Sequence, residues 1–126
     1  MTALDDLLDL LDLEPIEVRI FRGRNRPLAS AQALVAAGRT ADADRLCHSL
    51  HAYFILPGDV KAPIVYEVES LRDGGSFTTR RVTAIQHGRP IFNASLSFHR
   101  EEPGLDHQTE AAPEAPAPDA VTSERD

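Results

Sequence analysis

With 126 residues the chain is long enough for one domain around a single core. It contains no apolar run near the ~18 residues of a membrane span, and its lone cysteine, Cys47, excludes an internal disulfide. The formal charge of −7 lies at one end: residues 1–100 carry 12 acids and 12 bases, whereas residues 101–126 carry 8 acids against Arg125 alone, so the foldable part offers no basic surface for nucleic acid.

Met1 to Leu13 reads as a helix, because Leu4, Leu7, Leu8 and Leu11 recur at the helical period. Thr2 and Asp5 form a capping box, and Pro15 marks the end of the helical pattern. A leucine stripe of this kind faces a core or an interface. Asp5, Asp6, Asp9 and Asp12 interrupt the leucines, unlike a secretory leader, so a soluble, reducing, cytoplasmic setting is expected. Ile16 to Phe21 alternates apolar and charged residues and predicts one short strand ending at Phe21-Arg22-Gly23. Arg24-Asn25-Arg26-Pro27 reads as a basic loop, solvated or holding a phosphate.

Ala29 to Gly38 is an alanine-rich helix, with Gly38 placed for a left-handed stop. Four strands follow. Leu46 to Leu56 puts Leu46, His48, Leu50, Ala52, Phe54 and Leu56 on one face, and Cys47, Ser49, His51, Tyr53 and Ile55 on the other. Pro57-Gly58-Asp59 reads as a turn, and Ile64 to Leu71 is a strand bounded by Pro63 and by Asp73-Gly74-Gly75, a hairpin signal in which glycine supplies positive φ. Phe77 to Ile85 leads to a turn at His87-Gly88-Arg89-Pro90. Ile91 to His99 points Phe92, Ala94, Leu96 and Phe98 one way and Asn93, Ser95, Ser97 and His99 the other. One smooth helix followed by four antiparallel strands predicts an α+β domain over residues 1–103, with the sheet wrapped around the helix. Residues 104–126 are proline-, alanine- and acid-rich and are expected to lack structure.

The string His48-Ser-Leu-His-Ala-Tyr-Phe-Ile-Leu-Pro-Gly-Asp59 resembles a segment of the type II acyl-CoA thioesterases. Further spaced matches are Tyr66-Glu67-Val68, Leu71-Arg72-Asp73-Gly74, Ser76-Phe77, Arg80-Arg81-Val82, Gln86, Gly88 and Pro90-Ile91-Phe92. Phe21-Arg22-Gly23 and the leucine helix also match. The resemblance implies a hotdog fold and hydrolysis of fatty acyl-CoA to fatty acid and CoA, with no cofactor or metal. It also implies two hotdog repeats in one chain, with the catalytic Asp, Thr and Gln in the second, so no position here inherits those roles. The tail resembles the linker between repeats, and the expected partner is a second copy in a homodimer or a second hotdog repeat. Before Gln32-Ala33-Leu34 the chain lacks the glycine-rich segment that opens the family's central helix.

Thioester hydrolysis needs an activated water and donors for the oxyanion. His48 is the candidate base of the matched segment, against a hydrogen-bonded core role. Arg72, Arg80 and Arg81 are candidates for the phosphates of CoA, although Arg80 and Arg81 must face opposite sides. Arg72 and Asp73 are placed to pair locally, and Asp59 to accept backbone N–H bonds in its turn. The five histidines show no metal-ligand spacing, Cys47 lacks an activating cation, and no G-x-S-x-G is present. The alternative to an enzyme is a catalytically silent acyl-CoA-binding or scaffold subunit.

Overall fold

A computed structural model of the chain describes residues 2–24, 29–117 and 120–121. Its elements are α1 (Ala3–Leu11), β1 (Glu14–Glu17), β2 (Ile20–Gly23), α2 (Ala29–Gly38), β3 (Arg45–Phe54), β4 (Ile64–Asp73), β5 (Phe77–Gln86) and β6 (Arg89–Arg100). The strands form one antiparallel sheet in the order β1-β2-β4-β5-β6-β3. Its hollow holds α2, which touches β2, β3, β4, β5 and β6. Ala33, Ala36 and Ala37 are wholly buried, in one cluster with Val82, Ala84, Ala94, Leu96 and Phe98. Methyl groups at i, i+3 and i+4 let a curved sheet approach on several sides, where longer side chains would hold it away. The expected α+β wrap is therefore the observed one.

Several local expectations are corrected. The helix stop at Gly38 is not left-handed; among the described residues the only glycine with positive φ is Gly88. The last carbonyls of α2 are met instead by Arg39 N–H on Val35 O, and by the Thr40 N–H and hydroxyl on Ala37 O. With those acceptors satisfied, no left-handed residue is needed. The capping box at Thr2 and Asp5 is present, but α1 ends at Leu11, and Leu13 turns into the core. Leu4, Leu7 and Leu8 remain exposed.

The single strand expected at Ile16 to Phe21 is a hairpin that turns at Val18-Arg19, with β2 pairing onward to β4. Alternation does not distinguish a strand from a hairpin whose turn residues keep the same parity. Pro15 lies inside β1, which tolerates a missing N–H because it is an edge strand. At Asp73-Gly74-Gly75 the reversal is where expected, yet neither glycine has positive φ. Gly74 is required by close approach: an added Cβ would stand 3.0 Å from the Phe77 carbonyl oxygen and from Arg72 Nε. The next turn is tighter than expected. His87 (φ 48°) and Gly88 (φ 70°) make a two-residue type I′ loop, and Arg89 and Pro90 already belong to β6.

Of the basic loop expected at Arg24 to Pro27, residues 25–27 lie outside the described residues. Residues 104–117 are exposed and in no helix or strand; 118, 119 and 122–126 of the tail lie outside the described residues.

Candidate functional site

The polar groups that enter the hollow beside α2 hold the fold together. Arg80 falls on the inward side of β5 and is 2% exposed. Its Nε donates to Thr40 Oγ1 (2.9 Å), Nη1 to the carbonyls of Arg72 and Thr79, and Nη2 to Thr40 O (2.9 Å) and Asp73 Oδ1 (2.6 Å). All five guanidinium donors are used, so Arg80 has none left for a phosphate of CoA. The Asp73 carboxylate pairs with Arg80, not with Arg72 as expected. At the other end of α2, the buried Tyr66 hydroxyl donates to Gln32 Oε1 (2.7 Å), and Gln32 Nε2 donates to Leu10 O (2.7 Å) and Arg24 O (3.0 Å). Gly23 leaves room for this amide, since a Cβ there would come within 2.9 Å of Gln32 Oε1.

His48 sits in a β-bulge. Cys47 pairs with Phe98 and Ser49 with Ser97, so the neighbouring positions on β6 face three residues of β3. The extra residue breaks the expected alternation: Cys47 packs against the core before the bulge, and Ala52 after it. His48 and His51 consequently share the outer face instead of opposing one another. The His48 Nε2 is bonded to Ser97 Oγ at 2.8 Å, and its ring meets Phe77 and His99 edge-on. The sheet separates this imidazole from the hollow. Arg81 also faces outward, in an exposed pair with Glu69 at 3.3 Å, and Arg72 is exposed beside Gly74. The structure therefore does not gather His48, Arg72, Arg80 and Arg81 into one place. Among the described residues no three His, Cys, Asp or Glu side chains converge as a metal site would require.

What the structure does build is a hollow at the start of α2. Ten helical residues reach ~15 Å, whereas the twelve of β6 extend ~40 Å. Gly38 lies near Phe98, and Ala29 near Phe92, so the helix stops short of the β6 start. The end that α2 does not reach holds a cavity of about 600 Å³ whose lining among the described residues is Ala29, Phe54, Ile55, Leu56, Pro57, Gly58, Val60, Ile64, Ile91 and Phe92, none of them ionisable. A smaller recess of about 410 Å³ shares Leu56, Pro57 and Ile91 with it and adds Asp59, Gln86, His87 and Arg89.

The wall between these spaces is held by a buried amide. Gln86 Oε1 accepts from Asp59 N–H at 2.8 Å, while its Nε2 donates to the carbonyls of Asp59 (3.0 Å) and Ala62 (2.8 Å). As expected of its turn, Asp59 Oδ1 accepts Lys61 N–H at 2.9 Å; its Oδ2 meets His87 Nε2 at 2.9 Å. The Lys61 N–H, and then the His87 contact, hold the Asp59 carboxyl below its ordinary range. Gln86, Gln32 and Tyr66 were given no role on sequence grounds. The available signal was a polar residue on the inward parity of an apolar strand or helix.

A helix seated in a six-stranded antiparallel wrap defines a hotdog fold. A solved protein of this fold from Alicyclobacillus acidocaldarius superposes with a TM-score of 0.76 at 24% identity, over 97% of this chain and 49% of that one. The family profile "Acyl-CoA thioesterase N-terminal domain" matches residues 28–99, and the chain belongs to that family. It is 43% identical to acyl-CoA thioesterase 2 of Haemophilus influenzae over 96% of this chain and 45% of the relative. The solved acyl-CoA thioesterase II TesB2 from Mycobacterium marinum is 48% identical over 90% of this chain and 45% of that one, with a TM-score of 0.81. The chain thus spans about half the length of the relatives it matches.

Proposed function

We propose that the chain hydrolyses fatty acyl-CoA to free fatty acid and CoA as one half of a paired hotdog unit. The observation that carries this is the family match over residues 28–99, which runs through α2 and the four long strands β3 to β6 that wrap it. The half-length coverage of the relatives supports pairing, and so do the sheet edges. One edge, β1, is four residues long and contains Pro15; the other, β3, has ten residues and no proline. Among the described residues no strand pairs with the outer side of β3, which makes it a template for another chain. A second copy in a homodimer, or a second hotdog repeat, would extend the sheet there.

Because no ionisable side chain lines the hollow among the described residues, the group that activates water is expected from the partner half. No helix among the described residues is long and apolar enough to cross a membrane, and the lone cysteine suits a reducing cytoplasm. The direct test is thiol release from decanoyl-CoA, followed with sedimentation. Thiol release is expected from the chain paired with a second hotdog repeat, and His48→Ala should keep that rate within about threefold because the ring faces away from the hollow. A stable monomer that neither self-associates nor pairs with a second hotdog repeat, or a paired unit that releases no thiol, overturns the proposal. The second reading, a silent acyl-CoA-binding subunit, is favoured by the same apolar lining. It requires saturable acyl-CoA binding with thiol release at background.

A further inference from the structure

Within β3 only His48 has no opposite number on β6: Cys47 faces Phe98, Ser49 faces Ser97, and His48 lies between them. A bulged residue has no ladder position of its own, so its place depends on what its side chain meets. The imidazole reaches across the outer face of the sheet. Its Nε2 stands 2.8 Å from Ser97 Oγ, and its ring lies edge-on to Phe77 of β5 (centroids 5.6 Å apart) and His99 of β6 (6.0 Å). Phe77 and His99 are themselves 4.7 Å apart. Three rings on three strands therefore form one cluster, and it holds the bulge in register.

Two of those rings titrate. An imidazole takes up its proton between about pH 5 and 8, and two imidazolium ions 6.0 Å apart repel one another. The surroundings offset one such charge, not two. Beyond β6, Glu102 Oε2 stands 3.9 Å from His99 Nε2, while Oε1 accepts from Ser76 Oγ at 3.1 Å. His48 is hydrogen-bonded or ion-paired to no carboxylate among the described residues. β5 brings Phe77 and Thr79 opposite His99 and Ser97, and Arg81 further along is paired with Glu69. On β3, Arg45 is held by Thr78 and Asp42, and His51 meets Tyr53. Arg100, at the end of β6, is held by Asp44.

We propose that His48 and His99 form a proton-operated latch on the edge strand β3. With neutral rings the bulge is held against β5 and β6; with both rings charged they part, and residues 46–49 loosen from the sheet. The opening is local, because residues 50–54 pair with β6 without a break and the Arg45 and Arg100 contacts hold the start of the strand. Its consequence for assembly rests on the pairing reading above: β3 is the edge offered to a second chain, so acid weakens that pairing.

Hydrogen exchange of the full chain, followed by mass spectrometry at submicromolar concentration and corrected for intrinsic rates, tests the latch. Protection over residues 46–49 should fall about threefold or more from pH 7.5 to pH 5.5, while residues 82–84 keep theirs. His48→Gln and, separately, His99→Gln should each abolish that fall, because a single charge has nothing to repel; folding is checked by circular dichroism. Glu102→Gln should enlarge the fall, and His51→Gln and His87→Gln should leave it as in the wild type. Equal protection at the two pH values overturns the latch, as does a fall that survives in His48→Gln or His99→Gln or disappears in His51→Gln. Sedimentation is read separately. A chain that pairs with neither a copy nor a second repeat, yet shows the exchange change, sinks the pairing reading alone. Pairing with protection unchanged between the two pH values sinks the latch alone.

Discussion

The two ends of the sheet's concave face are built on opposite principles. At the Gly38 end the helix fills the hollow with methyl groups, and the buried polar atoms of Arg80 are all paired. At the Ala29 end the strands continue past the helix, and Phe54 stands largely exposed beside Phe92. The first arrangement fixes one packing, since any lost partner leaves a desolvated group behind. The second tolerates change in the free chain and keeps apolar surface for something else. The two ends should therefore respond differently: substitutions at the Arg80 end should unfold the chain, and those among the exposed apolar residues of the open end should leave it folded.

The largest expected effect comes from Arg80. Arg80→Met keeps much of the volume but removes the donors to Thr40 O, Arg72 O and Asp73. A loss of about 3 kcal/mol is expected in urea unfolding, at the low end for breaking a buried ion pair because Asp73 itself is largely exposed. A loss under about 1 kcal/mol would mean that the covered end is not held by this cation, and the contrast between the two ends would fail.

Next is Tyr66, buried under α2 although its partner Gln32 lies toward the Ala29 end. Burial holds its phenol well above the ordinary value of 10.0. A raised folded value means that the contribution is fully present below the unfolded value and is lost as pH rises beyond it. Unfolding free energy should fall by up to about 1.4 kcal/mol per pH unit above pH ~10. Tyr66→Phe should cost about 1–2 kcal/mol at pH 7, because Gln32 Oε1 loses its donor, and should remove this residue's share of the alkaline slope. A slope unchanged in Tyr66→Phe would assign it to other groups.

The covered end was the legible one. The alanine spacing at Ala33, Ala36 and Ala37 and the parity of Phe92, Ala94, Leu96 and Phe98 placed helix and sheet correctly, because both follow from burial with a fixed period. Parity also put Arg80 and Arg81 on opposite sides. It could not say that Arg80 would be saturated, since its acceptors Thr40 and Asp73 come from separate connections. Nor could it find the His48 bulge, which is a property of the β3–β6 pairing and leaves no mark on β3 alone. The open end escaped notice for a related reason. Phe54, Ile64 and Phe92 read as ordinary core positions, and only the reach of α2 shows that nothing from the helix covers them.

The smallest effect is expected at the wall of the open end, where Asp59 and His87 join two loops. The Asp59 carboxyl is held below its ordinary 3.8, first by the Lys61 N–H and then by His87. A lowered folded value means that its stabilisation is complete above the ordinary value and is lost as pH falls through the folded one. Residues 57–63 should therefore loosen below about pH 3.8 while the helix-covered core keeps its protection. Amide-exchange protection, compared at pH 3 and pH 6 after correction for intrinsic rates, should fall at Lys61 and stay unchanged at Val82 and Ala84. Asp59→Asn should abolish the difference at Lys61. Loss of protection in both places together would show the wall and the core opening as a single unit, and the open end would then have no independence for a ligand to exploit.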